Sequence, residues 1–401
     1  MAPRKRQDQK TTGGTNTIDL AMAAGLTLMT DTSTSFVSDW MPSMIPSLDY
    51  ILGGGIAYGR VTECFGLNQA GKSVLAVHLM KMAISFDTVV VVIDVEGTTD
   101  ISNLTQQGVD PSKVYIVQPE HDEALTIEFV TERVKIIVDT FKDSDVPVMI
   151  IWDSVASTAT EQQLKEGYNP NTMGTVARAI SNMVVQIGQM ISQSKTAFFL
   201  INQARDDLKA PANFPAIKST GGRALEHWAS VRLEVVKASQ IKGKVTNQAT
   251  GKESEEYIGH IFRVKTKKSK VSAPNKKAEM YLISEPFIGL DFTENVYRSA
   301  VDQYGLISKG AWRAYTTEAG QEVKLRDSDW VPFLNSEEGQ PVLKELFQKE
   351  LITWFPDGFA PLNNKRINVD SFPYLEGMRE YYAQRAAQKA LEETQSQEGE
   401  E

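Results

Sequence analysis

Apolar-rich runs of strand length recur at residues 60–65, 89–93, 148–152, 197–201, 231–235, 260–264 and 279–283. Between several of them the apolar positions switch to helical spacing. Short continuous apolar runs suit strands buried on both faces, so the alternation predicts an α/β protein with a mostly parallel sheet covered by helices on both sides. Residues 74–82 read as one such helix. Val176, Ile180, Met183, Val184, Ile187 and Ile191 mark the core face of another.

The alternation begins near residue 45 and stops near 285. Beyond it come shorter segments rich in aromatics, among them Trp312, Tyr315, Trp330, Phe333, Trp354 and Phe355. Helices predicted at 295–304, 341–351 and 374–391 make 286–390 a smaller α+β domain, and 391–401 is an acidic tail whose composition predicts disorder. Residues 1–17 are polar and carry Arg4, Lys5 and Arg6, which predicts a mobile arm. A short helix at 19–29 and a short strand at 35–40 complete a 1–44 appendage suited to docking on another subunit.

Composition narrows the class. No apolar run approaches the roughly 20 residues that a membrane-spanning helix needs, and no secretory signal is read at the N-terminus, so the expected location is cytoplasmic with no membrane partner. One cysteine, Cys64, excludes an internal disulfide and a cysteine-rich zinc site. The four histidines show no metal-ligand spacing, and His78 is expected to be packed against the helix that carries it. A net charge of −9 does not exclude nucleic acid, because the basic residues concentrate at 265–277 and at the N-terminus.

The chemistry begins at Gly66-Leu67-Asn68-Gln69-Ala70-Gly71-Lys72-Ser73, a complete G-x-x-x-x-G-K-[ST] loop between a strand and a helix that opens at Val74. Its glycines let backbone N–H groups wrap a phosphate. Lys72 then reaches the β- and γ-phosphates, and the Ser73 hydroxyl ligates Mg²⁺. A buried strand ending in Asp153 supplies the second carboxylate for the metal. Another strand ends in Asp94-Val95-Glu96, and an acid at a strand's C-terminal end projects into the ligand crevice of an open α/β sheet, which makes Glu96 the candidate base for the attacking water. The 197–201 strand leads to Gln203, whose carboxamide is a candidate sensor of the γ-phosphate. A long loop, 205–222, follows it and has the length of a functional loop.

These motifs together resemble the RecA-type recombinases over about residues 48–315. Ile151-Trp152-Asp153-Ser154, Ile201-Asn202-Gln203-Ala204-Arg205, Thr220-Gly221-Gly222-Arg223 and Ser230-Val231-Arg232-Leu233 fit the bacterial form, and Leu52-Gly53-Gly54-Gly55 looks like the archaeal and eukaryotic one. The resemblance implies ATP and Mg²⁺ as cofactors, a RecA-like ATPase core at 45–285, and a helical homo-oligomer with ATP at protomer interfaces. It also implies two DNA loops, about 161–174 and 205–222, that hold single-stranded DNA and then duplex. Met173 and Leu208 match base-step wedges, and Arg178 and Arg223 match phosphate contacts. Arg205, Lys209 and Lys218 add cations, and Phe214 is placed either to stack on a base or to pack within the loop. Lys268 and Lys270 match lysines that reach a neighbouring protomer's nucleotide, and Asp100 matches the acid that contacts adenine. Asn103 stands where a stacking tyrosine is common, and Glu226 where bacterial members carry an interface lysine. The function implied is homologous pairing and strand exchange with DNA-stimulated ATP hydrolysis. A ring-forming motor on the same fold and a non-catalytic mediator are the alternatives; the Met173 to Arg178 segment and the two lysines favour the recombinase, and Glu96 favours an enzyme.

Overall fold

The computed structural model describes residues 39–119, 124–166, 174–206, 217–246, 253–284, 289–356, 359–360 and 365–366. In chain order the elements are β1 (Trp40–Met41), α1 (Pro46–Leu52), β2 (Ile56–Ala57), β3 (Arg60–Gly66), α2 (Lys72–Ser85), β4 (Val89–Asp94), α3 (Ile101–Gln106), β5 (Val114–Val117), α4 (Ile127–Phe141) and β6 (Val148–Asp153). There follow α5 (Glu161–Glu166), α6 (Thr175–Ser192), β7 (Thr196–Asp206), β8 (Ile217–Ser219), α7 (Gly222–Trp228), β9 (Val231–Thr246), β10 (Glu253–Ser269) and β11 (Lys277–Ile283). The last are β12 (Gly289–Leu290), α8 (Phe292–Asp302), β13 (Trp312–Thr316), β14 (Glu322–Arg326), α9 (Asp327–Leu334) and α10 (Gln340–Ile352), before two short paired segments, Phe359–Ala360 and Lys365–Arg366.

One large sheet runs in the order β12-β11-β10-β9-β3-β7-β6-β4-β5, with β8 paired to β7. It is parallel from β9 to β5 and antiparallel from β9 to β12. The two-residue period divides the apolar strands between two cores. Val90, Val92, Met149, Ile151, Phe199 and Ile201 face one side, with Leu75, Leu79 and Met82 of α2. Val91, Ile93, Ile150, Trp152, Phe198 and Leu200 face the other, with α4 and α6. This is the doubly covered, mostly parallel α/β sheet expected from the chain. Of the stripe on α6, Ile180, Met183, Ile187 and Ile191 are buried, and Val176 and Val184 border them.

Several elements differ in extent from the sequence reading. β9 and β10 run far past the apolar stretches at 231–235 and 260–264, because their outer halves pair with each other rather than with a core. The start of loop one is the helix α5, and the exit of loop two is β8, whose pairing with β7 needs no apolar periodicity. Helix α4 is not among the elements expected from the sequence, although Ile127, Val130, Val134 and Val138 share one face and the Thr126 side chain accepts from Phe129 N–H as its N-cap. The 1–17 arm, the 19–29 helix, most of the 35–40 strand, the 374–391 helix and the acidic tail lie outside the described residues.

Residues 289–356 pack into the same hydrophobic cluster as α1 and α2. Phe292 meets Phe347 edge to face with centroids 4.8 Å apart, and Tyr297 stacks on Trp330 at 5.7 Å. Inside this cluster Ser299 Oγ donates to Glu350 Oε1 at 2.5 Å, and Glu350 Oε2 is buried with no hydrogen-bond partner. Burial holds this carboxyl well above its ordinary value of 4.5. A raised folded-state value means that Glu350 contributes most to stability below about pH 4.5, and loses it at roughly 1.4 kcal/mol per pH unit as pH rises toward the folded value. Glu350→Gln keeps the acceptor for Ser299 and removes the titration. The variant is expected to melt higher than the unmodified protein at pH 8 and to show a smaller fall between pH 5 and 8. Parallel melting curves across that range would contradict this account of Glu350. No described helix is long and apolar enough to cross a membrane.

Candidate active site

The crevice forms where β3, β4 and β6 end side by side and β7 leaves its parallel pairing with β3. Gly66 is in register with Gln203 across β3 and β7, and Asp94 with Asp153 across β4 and β6. The loop, the two acid-bearing strand ends and the carboxamide are therefore brought to one edge of the sheet by parallel pairing alone, at the place where open α/β sheets bind ligands.

The glycines of the loop are required by packing. A methyl on Gly66 would lie 2.2 Å from Val235 O, and one on Gly71, whose φ is 92°, would lie 2.8 Å from the Phe262 ring. β9 and β10 therefore press directly on the loop. Helix α2 starts at Lys72, and the Lys72 ammonium folds back to donate to Gly66 O at 3.1 Å and Leu67 O at 2.8 Å. Burial lowers the Lys72 pKa, opposed by the nearby Cys64, Asp153 and Glu96. Val74 follows on the first turn of α2 and packs against the core, while Leu67, Asn68 and Gln69 stand exposed on the loop and Ala70 is buried beneath it.

Three acids converge opposite. The Ser73 hydroxyl beside Asp153 favours its charged form, but burial, helped by Glu96 and Asp94, pushes the carboxyl up to about 6. Asp94 is fully buried: its Oδ2 accepts from Thr99 N–H at 2.7 Å, and its Oδ1 has no hydrogen-bond partner. Glu96 is exposed at the rim, and its Oε1 accepts from Ser154 Oγ at 3.1 Å and from Ser157 Oγ. The two hydroxyls also meet each other at 2.9 Å. Ser154 and Ser157 thus aim Glu96, a role not read in the sequence; Ser154 adjoins Asp153, and nothing in the spacing marked Ser157. Such a cluster of oxygen donors carries more negative charge than Lys72 alone offsets, and a hard cation such as Mg²⁺ suits it. Among the described residues no three His, Cys, Asp or Glu side chains form a cage of their own. Cys64 is buried beneath the loop with its thiol pushed up to about 12 by burial, so it is a core side chain. His78 is likewise buried, against Ser43 O at 2.7 Å.

Gln203 is half-buried on β7, where the strand's pairing with β3 ends and one residue before it pairs with β8. That pairing sets Arg205 opposite Lys218, both exposed. A methyl on Gly222 would lie 3.0 Å from Ala177 Cβ, so the first turns of α6 and α7 abut and bring exposed Arg178 and Arg223 to the same region. Met173, Leu208, Lys209 and Phe214 lie outside the described residues. Lys268 Nζ donates to Glu226 O and His227 O, both at 2.7 Å, and Lys270 Nζ to His227 O at 3.4 Å. The two lysines cap the C-terminal end of α7. Asp100 caps α3 by accepting from Asn103 N–H at 3.0 Å.

Comparison with known proteins agrees with this geometry. The family model described as the RecA N-terminal domain matches residues 16–288. Protein RecA of Petrotoga mobilis is 30% identical over 286 residues, covering 71% of this chain and 72% of its own. Protein RecA of Chlorobaculum tepidum is 33% identical over 275 residues, covering 68% and 72%, and that of Thermotoga neapolitana is 32% identical over 272 residues, covering 68% and 71%.

Proposed function

Since this chain belongs to the RecA family of recombinases, we propose that it is an ATP-dependent recombinase. It forms a helical filament on single-stranded DNA, takes up homologous duplex and exchanges strands, with DNA-stimulated hydrolysis of ATP held between protomers. The observation that carries the reading is the alignment of the phosphate loop, Glu96, Asp153 and Gln203 at one edge of four adjacent parallel strands, with Gln203 leading directly into the basic stem of loop two.

Each residue then has a defined task. Backbone N–H groups of the loop, from Gly66 to Ser73, enclose the polyphosphate, and Lys72 exchanges its two carbonyl partners for phosphate oxygens. Ser73 and Asp153 hold Mg²⁺, and the unpartnered Asp94 Oδ1 and the raised Asp153 are the features of a pocket that fits a cation. When bound, the metal offsets the charge of the transferred phosphoryl group. Glu96, fixed by its two serine donors, orients water and accepts its proton. Gln203 transmits nucleotide state to loop two, where Arg178, Arg205, Lys218 and Arg223 meet DNA phosphates. Asp100 contacts adenine, and Lys268 and Lys270 act on the neighbouring protomer's nucleotide.

Mixing two inactive variants tests the shared site. Lys268→Ala combined with Lys270→Ala, and Glu96→Gln alone, are each expected to lose DNA-stimulated turnover. A mixture regains part of it, because an intact Glu96 on one protomer meets intact lysines from its neighbour. Filaments that form from the mixture, seen by electron microscopy, yet recover no ATPase activity would contradict the placement of ATP between protomers. Rings in place of filaments would favour a motor.

A further inference from the structure

A fully buried carboxylate sits in the middle of β3, three residues before the phosphate loop. Glu63 is in register with Arg232 on β9, and its Oε2 accepts from Arg232 Nε at 2.5 Å. Its Oε1 accepts from Asn202 Nδ2 at 2.8 Å; Asn202 is also fully buried and precedes Gln203 on β7. The three side chains lie on one face of β7, β3 and β9, the face that also buries Val61, Phe198 and Leu200. Charge is costly in such a place unless it is paired, and apolar residues would pack there at lower cost.

The pairing leads outward to loop two. Asn202 Nδ2 donates a second bond to Thr220 O at 2.7 Å, and Arg232 Nη2 donates to Ser219 Oγ at 2.9 Å and lies 3.6 Å from Glu226 Oε1 on α7. The guanidinium carbon also lies over the Phe65 ring, 4.7 Å from its centroid, a further contact that holds the fork in place. One carboxylate on the phosphate-loop strand therefore holds, through two side chains, the two residues by which loop two returns to the sheet. By contrast, the backbone bond from Thr220 N–H to Gln203 O is long, 3.4 Å. Asn202 Oδ1 is buried with no hydrogen-bond partner, so the amide gives both its donors and leaves its acceptor free in this arrangement. A network satisfied on one side only is suited to having a second arrangement.

We propose that Glu63 is a positioning residue which, through Asn202 and Arg232, couples the phosphate loop to the exit of loop two. The inference rests on the recombinase reading and deepens it. A shift of β3 on nucleotide binding moves the carboxylate, and with it the hold on Ser219 and Thr220. DNA held by loop two acts on the phosphate loop by the same route, since coupling between two binding sites is reciprocal.

The test uses the full chain and two substitutions. Glu63→Gln keeps the shape but turns one acceptor into a donor. Arg232→Lys keeps the buried charge paired, and a single ammonium cannot bridge Glu63 and Ser219 at once. Three quantities are read: affinity for a fluorescent ATP analogue without DNA, affinity for single-stranded DNA without nucleotide, and the factor by which a non-hydrolysable ATP analogue tightens DNA binding. Both variants are expected to hold the first two within about twofold and to lose at least about tenfold of the third. A merely structural role would lower the melting temperature and leave that factor unchanged. If Glu63→Gln does not fold, Arg232→Lys decides alone. A folded variant that keeps the factor within about twofold overturns the relay. An unmodified protein in which ATP analogue and DNA do not affect each other's binding overturns the recombinase reading, and the relay with it.

Discussion

Lys72→Ala is expected to weaken Mg²⁺–ATP binding by at least about a thousandfold. The Lys72 ammonium donates to two carbonyls of the loop, Leu67 O at 2.8 Å and Gly66 O at 3.1 Å, and the proposed role has it exchange them for phosphate oxygens. A unit charge about 4 Å from an anion in surroundings of effective dielectric about 20 contributes on the order of 4 kcal/mol, close to three decades of affinity. Alanine leaves those carbonyls facing the phosphates without compensation. The fold is expected to survive, since Lys72 is the first residue of α2 and alanine is a strong helix former. Titration with a fluorescent ATP analogue measures the loss, and a change below about tenfold would contradict the role given to Lys72.

Glu96→Gln is expected to leave nucleotide and DNA affinity within a few-fold and to lower turnover by about 10² to 10⁴. Its side chain is aimed by Ser154 and Ser157, which donate to Oε1. A glutamine oxygen accepts the same bonds, so the group stays in place, but its amide cannot take a proton from water. The expected signature is a fall in kcat with KM nearly unchanged. Equal losses of affinity and turnover would return Glu96 to a purely electrostatic part.

What could be read from the chain was local. The phosphate loop carries its own context in the strand before it and the helix after it, and Asp153, Glu96 and Gln203 each follow an apolar run whose end is easy to see. Parallel pairing then aligned those ends without further information. Features lacking a local signal were missed. β5 is a four-residue edge strand with Tyr115 and Ile116 exposed, so it shows no buried pattern. The outer halves of β9 and β10 are held by each other's backbone. The Glu63 relay joins residues 139 and 169 positions apart, and no spacing within one element can announce a charge pair of that kind.

Strand exchange is the most direct measurement of the central claim. Circular single-stranded DNA and homologous linear duplex are incubated with the full chain, Mg²⁺ and ATP, and joint molecules are resolved on a gel. The account predicts joint molecules that require ATP and homology and that are absent with Lys72→Ala. ATP hydrolysis stimulated by single-stranded DNA, with no joint molecules from homologous duplex at any protein-to-DNA ratio, would contradict it.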